Sequence, residues 1–143
     1  MKRSAALAPL SRDHHVALAL ALRVRRDGAT ASDREAFVRF LSHEAADHFA
    51  VEESVLLPAV SDVLPASAPE VVQMLEEHAE LRRRAAALAA DPAPGPDDLR
   101  ISGELLTRHV RFEERVLFPR IEALAGEQRL AELAPRLLAA LRP

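Results

Sequence analysis

One block of the chain is written twice, and that fact limits the available folds more than any other. His48-Phe49-Ala50-Val51-Glu52-Glu53-Ser54-Val55-Leu56-Leu57-Pro58 returns 61 positions later as His109-Val110-Arg111-Phe112-Glu113-Glu114-Arg115-Val116-Leu117-Phe118-Pro119. The His, both Glu, one Val, one Leu and the Pro are retained while their neighbours change. Residues four apart share a helix face, so each copy presents an imidazole beside a carboxylate on one wall. A proline ten positions after each histidine kinks or ends both helices at the same depth. Two related helical hairpins are the simplest architecture for such a duplication.

The remaining sequence agrees. Glycine is scarce, alanine and leucine abound, and no strand-like alternation is present. Helix 1 is predicted from about Pro9 or Ser11 to Asp27, stopping at Gly28. Helix 2 is expected to open at Ser32, with Glu35 completing a capping box, and to run to about Pro58, with a further turn towards Leu64. A second box, Ser67 with Glu70, would open helix 3, which reaches about Ala90. Asp91-Pro92-Ala93-Pro94-Gly95-Pro96 breaks the chain. Helix 4 then starts near Asp97 or Asp98 and extends to about Phe118, and a helical tail over about 127–141, interrupted by Pro135, crosses one end. The fold class expected is all-α: an antiparallel up-down four-helix bundle over about 10–122, with the tail, in a single domain spanning 1–143.

Composition narrows the chemistry. Hydrophobic residues make up 49% and charged residues 29%, a globular balance. Cysteine is absent, which excludes disulfides, thiolate zinc sites, iron–sulfur clusters and thiol catalysis. Any metal must be held by imidazole and carboxylate, a mixed set suited to Fe, Zn or Mn. Tyrosine and tryptophan are absent too, so tyrosyl-radical chemistry is ruled out. A net charge of −3 gives no ground for a nucleic-acid partner. The basic runs Arg82-Arg83-Arg84 and Arg23, Arg25, Arg26 read as solvated helix faces. No apolar run approaches the roughly 20 residues of a membrane span, and the N-terminus does not read as a signal peptide; a cytoplasmic location is expected.

The inward stripes carry the functional signal. On helix 2, Leu41, Glu44 or Ala45, His48, Glu52 and Val55 follow helical spacing. On helix 4 the row is Leu105 or Leu106, His109, Glu113 and Val116 or Leu117. His78 on helix 3 lies among Val71, Met74, Leu75, Leu81 and Ala85. On helix 1, His14 falls mid-face with Leu7, Leu10, Leu18 and Ala21. Hairpin symmetry instead favours His15, because His15-x-x-Leu18 matches His78-x-x-Leu81, and both stay open. Four imidazoles and two carboxylates in a core match a pair of divalent cations, since bare buried carboxylates would cost several kcal/mol each. Glu53 and Glu114, one position beyond the stripe, read as supporting or solvent residues, and His43 as a surface histidine.

Asp13-His14-His15, the two His-x-x-x-Glu-Glu-x-x-Leu-[Leu/Phe]-Pro segments and Glu77-His78-Ala79-Glu80-Leu81 together resemble the hemerythrin-like, or HHE cation-binding, family. The resemblance implies a four-helix bundle around two Fe ions with an oxo or hydroxo bridge. The implied ligands are His14 or His15, His48, Glu52, His78, His109 and Glu113, with Glu52 and Glu113 bridging; Mn or Zn could stand in for iron. It further implies a small diatomic ligand (O2 or NO) or peroxide as partner. A peroxide-decomposing enzyme and a metal-stabilised regulatory or interaction module are the alternatives. Two departures stand out. Oxygen-carrying relatives usually have a second His four after the helix-3 histidine, where this chain has Arg82. They usually place an Asp five after the last His, where this chain offers Glu113 at four and Glu114 at five.

Overall fold

The computed structural model describes residues 2–141. Helices account for its regular structure, and no strand occurs among the described residues. In chain order they are α1 (Ala8–Arg25), α2 (Ala31–Ser42), α3 (Glu44–Val51), the π-helical turn π1 (Glu52–Leu56), α4 (Leu57–Ala59), α5 (Pro69–Ala90), α6 (Pro96–Phe112), the turn π2 (Glu113–Leu117) and α7 (Phe118–Leu141). Four rods result: α1; α2 through α4; α5; and α6 through π2 into the first part of α7. The expected bundle is thus present, with the two repeat copies on its second and fourth rods.

Several local expectations change. The cap of α2 is Thr30, whose hydroxyl accepts from the Asp33 N–H while the Asp33 carboxylate accepts from the Thr30 N–H. This box sits two residues before the expected Ser32–Glu35 pair, and its Asp also favours the helix dipole. No side chain caps α5: Ala68 precedes it and Pro69 occupies its first turn, so the Ser67–Glu70 box does not form. Proline there has no N–H to satisfy, and the Val71 N–H, which a cap would serve, is met by the Ala68 carbonyl at 3.0 Å. The second rod is broken at His43 (φ −122°, ψ −76°), an exposed residue between α2 and α3.

Nor does the fourth rod end at Phe118. Helical structure continues through Pro119 because a π-helical turn precedes it. Both turns close with an i to i−5 bond, from the Leu57 N–H to the Glu52 carbonyl and from the Phe118 N–H to the Glu113 carbonyl. In each copy the donor immediately precedes the proline. The missing proline N–H interrupts the regular ladder at that point anyway, so the wider register is accommodated there. The fourth rod gives way at Gly126, whose φ of 79° and ψ of 167° are open to a residue without a Cβ. The following helix does more than cross one end. It returns along the flank of α1 and α3, where Ala140 and Leu141 reach the groove beside Val16 and Leu20.

Two apolar clusters fill the interior. One gathers Leu7, Leu10, Leu56, Met74, Leu117, Phe118, Ile121 and Leu137. The other gathers Ala17, Ala21, Phe37, Leu41, Phe49, Leu81, Leu99 and Leu106. Of the alternatives left by periodicity, Ala45, Leu106 and Leu117 are buried, while Glu44 and Val116 are exposed and Leu105 is half-buried; Leu75, expected on the inward face of His78, is exposed. Rods 1 and 4 meet through small residues. A Cβ built on Gly103 would lie 2.9 Å from Arg25 Cγ, 3.0 Å from Val24 Cγ2 and 3.1 Å from the Ala21 carbonyl oxygen. Helix propensity favours alanine over glycine by about 1 kcal/mol, but overpacking against a backbone carbonyl costs roughly 1–3 kcal/mol. Gly103→Ala is therefore expected to lower stability by up to about 2 kcal/mol, read as a lower urea midpoint at unchanged slope.

Candidate metal centre

Between the two apolar clusters lies a layer of charge. His14, His48, Glu52, His78, His109 and Glu113 are all buried, none more than 5% exposed. Their donor atoms form two overlapping groups, His14 with His48, Glu52 and Glu113, and His78 with His109, Glu52 and Glu113. Within each group the atoms lie inside 4.8 Å of one another. Helix 1 thus contributes His14. His15 is exposed and lies outside both groups, so the symmetry argument that favoured it fails. The better match was the acid–histidine dipeptide, Asp13-His14 against Glu77-His78.

Each carboxylate divides its oxygens between the groups. Glu113 Oε1 approaches His14 Nε2 at 2.9 Å and His48 Nε2 at 3.9 Å, while its Oε2 approaches His78 Nε2 at 3.6 Å and His109 Nε2 at 3.3 Å. Glu52 Oε2 lies 3.3 Å from His48 Nε2, and its Oε1 lies 3.1 Å from His78 Nε2. None of these four nitrogens and four oxygens has a hydrogen-bond partner. Buried polar atoms are almost always satisfied, so eight orphans converging on one spot call for a missing partner. Ligands held about 2.0–2.2 Å from a shared ion, at angles between octahedral and tetrahedral, stand about 2.8–3.6 Å apart. The donor set and its spacing fit metal cations, and both carboxylates belong to both groups.

The outer nitrogen of every imidazole is also fixed. His48 Nδ1 donates to Asp13 at 3.0 Å, His78 Nδ1 to Glu53 at 2.6 Å, His109 Nδ1 to Glu77 at 2.7 Å and His14 Nδ1 to Glu114 at 2.6 Å. A carboxylate on Nδ1 keeps the proton there and turns Nε2 inward, raising its basicity as a ligand. The pattern closes on itself. Rod 1 holds the histidine of rod 2, rod 2 that of rod 3, rod 3 that of rod 4, and rod 4 that of rod 1. The wider π-helical register is what lets Glu52 and Glu53, and likewise Glu113 and Glu114, both serve the centre. A regular helix would rotate the second glutamate away.

Two of these acids are themselves backed by arginine. Arg82 donates to Glu53 at 2.7 Å, and Arg3 lies 3.4 Å from Glu114 while also pairing with Glu122 at 2.7 Å. Arg82 thus occupies the place of the additional histidine of oxygen carriers and acts through Glu53. Behind the imidazoles stand phenylalanines. Phe49 stacks on His78 at 4.2 Å, with the Arg82 guanidinium 5.8 Å from its ring centre. Phe118 stacks on His14 at 5.4 Å, with Arg3 at 5.5 Å. The two phenylalanines hold non-equivalent places in the repeat, yet the surroundings they build match. Around the centre the carboxylates outnumber the guanidiniums, an excess of negative charge that suits cations.

Without a metal these groups lean on one another. Burial alone would strip His109 of its proton, but the charge of Glu113 and the hydrogen bonds the imidazole donates to carboxylates outweigh it and bring its pKa to about 10. His48 is likewise raised, burial being outweighed by the charge of Glu52 and the bond to Asp13. Burial would raise Glu113, yet the facing imidazoles, His109 foremost, hold it well below the carboxylate range. Losing an outer partner of a metal ligand typically costs 10–100-fold in affinity. Glu53→Ala is expected to weaken metal binding by about that factor, and Arg82→Ala by less, as measured by competition with a chromogenic chelator.

A void of about 10 Å³ adjoins the centre, bounded by Ala17, Ala45, Phe49, Leu106 and Val110 together with three of the imidazoles. That is room for about one water-sized molecule against an apolar wall. Among the described residues no helix is long and apolar enough to cross a membrane. Neither a curated protein nor a solved structure matches the chain. The model of the hemerythrin HHE cation-binding domain, however, matches residues 6–121, and with them every residue of the layer just described. On that match, and on a bundle whose buried imidazoles and carboxylates are arranged to grip cations, the chain belongs to the hemerythrin HHE cation-binding family.

Proposed function

We infer that the protein is a non-haem di-iron protein that binds or reacts with a small oxidant such as O2, NO or peroxide. In this reading His14 and His48 hold one ion, His78 and His109 the other, and Glu52 and Glu113 bridge them. The observation that carries it is the split of each bridging carboxylate between two histidine pairs. Iron, when bound, supplies electrons to the oxidant. The chain's own part is to orient four Nε2 atoms through their Nδ1 partners and to offset the charge. It also leaves a dry void of about one small molecule's size beside the pair.

The same details weigh against rapid turnover. Glu53, Glu114 and Arg82, the nearby acid–base groups, are committed to positioning imidazoles. The void is lined by apolar side chains, three imidazoles and Asp13, and the Asp13 carboxylate is itself engaged by His48 Nδ1. Binding or slow reaction fits better than peroxide decomposition. The test is metal analysis of protein purified without oxygen, followed by a spectrum on admitting air. Two Fe per chain and a new near-ultraviolet to visible band are expected, against a background nearly blank because Tyr and Trp are absent. A single ion per chain, or no spectral change with two, would overturn the reading.

A further inference from the structure

A groove of about 590 Å³ runs over the surface between α1, the second rod and the C-terminal end of α7. Its floor is apolar, with Val16, Leu20, Ala50 and Val51 along it, and Val16 is 52% exposed. Asp13, Phe40 and His48 line both this groove and the void at the centre, so these three side chains are what divide solvent from the site. Two further observations mark this as the thin wall. His48, at 5%, is the most exposed of the six clustered residues. Asp13, with a side chain 46% exposed, bonds only to His48 among the described residues, whereas Glu53 and Glu114 are tied by arginine and Glu77 by Gln73.

We propose that this groove is the entrance to the centre, with Phe40 as its inner door, and that it admits small uncharged molecules in preference to anions. The proposal rests on the dinuclear reading above for its destination. The preference follows from the rim, where Asp13, Glu44 and Asp47 face a single Arg39. A cleft lined by one sign of charge depletes like-charged solutes. Neutral O2, NO or hydrogen peroxide meets no such barrier, and an apolar floor suits the first two. Passage past Phe40, which is 8% exposed, requires its ring to change rotamer within the apolar cluster it belongs to.

The chain has no tryptophan, so Phe40→Trp gives a single reporter in the wall itself. In the zinc-loaded protein its fluorescence is expected to be quenched efficiently by dissolved O2 and poorly by iodide. Filling the groove with Ala50→Phe in the same background should cut quenching by O2 about threefold or more. Equal quenching by iodide, or quenching by O2 indifferent to Ala50→Phe, overturns the proposal. Should Phe40→Trp not fold, the unmodified zinc-loaded chain serves through O2-induced relaxation of methyl protons. Ala17, Ala45 and Val110 beside the void should relax about threefold faster than Leu99, which is as deeply buried. Equal rates overturn the proposal. Failure here with two ions per chain leaves the di-iron reading standing, whereas loss of the metal with quenching intact removes the destination alone.

Discussion

Glu113→Ala is expected to leave a folded bundle that no longer retains either metal ion. Glu113 is the one side chain within 3.9 Å of all four inward nitrogens, so in the di-iron reading proposed above its loss would remove a ligand from both ions at once. It also removes one of the two negative charges in the innermost layer. The effect should exceed the roughly 10–100-fold penalty of losing an outer partner. Glu52→Ala should be milder, because Glu52 reaches only His48 and His78. Metal content after gel filtration, with helicity checked by circular dichroism, measures both, and Glu44→Ala on the exposed face of α3 is the control. Two ions per chain in the Glu113→Ala protein would end the bridging assignment.

The second large effect is opposite pH dependence with and without metal. In the metal-free chain the pKa of His109 is raised from 6.5 to about 10, and those of His48, His14 and His78 are raised as well. A histidine raised on folding stabilises fully below its unfolded value and loses that contribution as pH climbs through the folded one. The metal-free protein should therefore lose stability between about pH 6.5 and 10, by a few kcal/mol shared among coupled groups. Glu113 has the opposite sign: its pKa is depressed, so its contribution is present above the ordinary carboxylate value and fades in acid. Metal and proton compete for the same Nε2 atoms, so metal uptake releases protons and tightens with pH. Calorimetry across the pH range should show the melting temperature of the metal-free chain falling where the gain from metal grows. A flat or rising metal-free profile from pH 6.5 to 10 would contradict this.

Much of the site was legible because helix periodicity and duplication report on single rods. His48 with Glu52, and His109 with Glu113, stand out by their i,i+4 spacing, and His78 by its apolar company. Relations between rods are another matter. Asp13 and Glu77 sit beside a histidine in sequence, but each serves a histidine on a different helix, which spacing along one chain cannot reveal. Arg3 precedes the first helix and yet reaches Glu114 and Glu122, more than a hundred residues away. The π-helical turns were hidden for a different reason. An extra residue in a turn leaves the apolar pattern nearly intact, and only the paired glutamates followed by proline hint at it. His14 against His15 was a question of phase, and an acid directly before the histidine, as in Asp13-His14, Asp47-His48 and Glu77-His78 though not Arg108-His109, pointed to His14.

The four carboxylate–imidazole bonds run round the bundle like a hoop round a cask, each stave fastened to the next. A hoop resists splaying only while every fastening holds, so the first cut releases most of the tension and later cuts release little. Removing any two of Asp13, Glu53, Glu77 and Glu114 should then harm metal retention by less than the product of the separate losses. The hoop also explains how four rods with no disulfide among them can keep six donor side chains in register: their spacing is set from outside the cage as well as by what it holds.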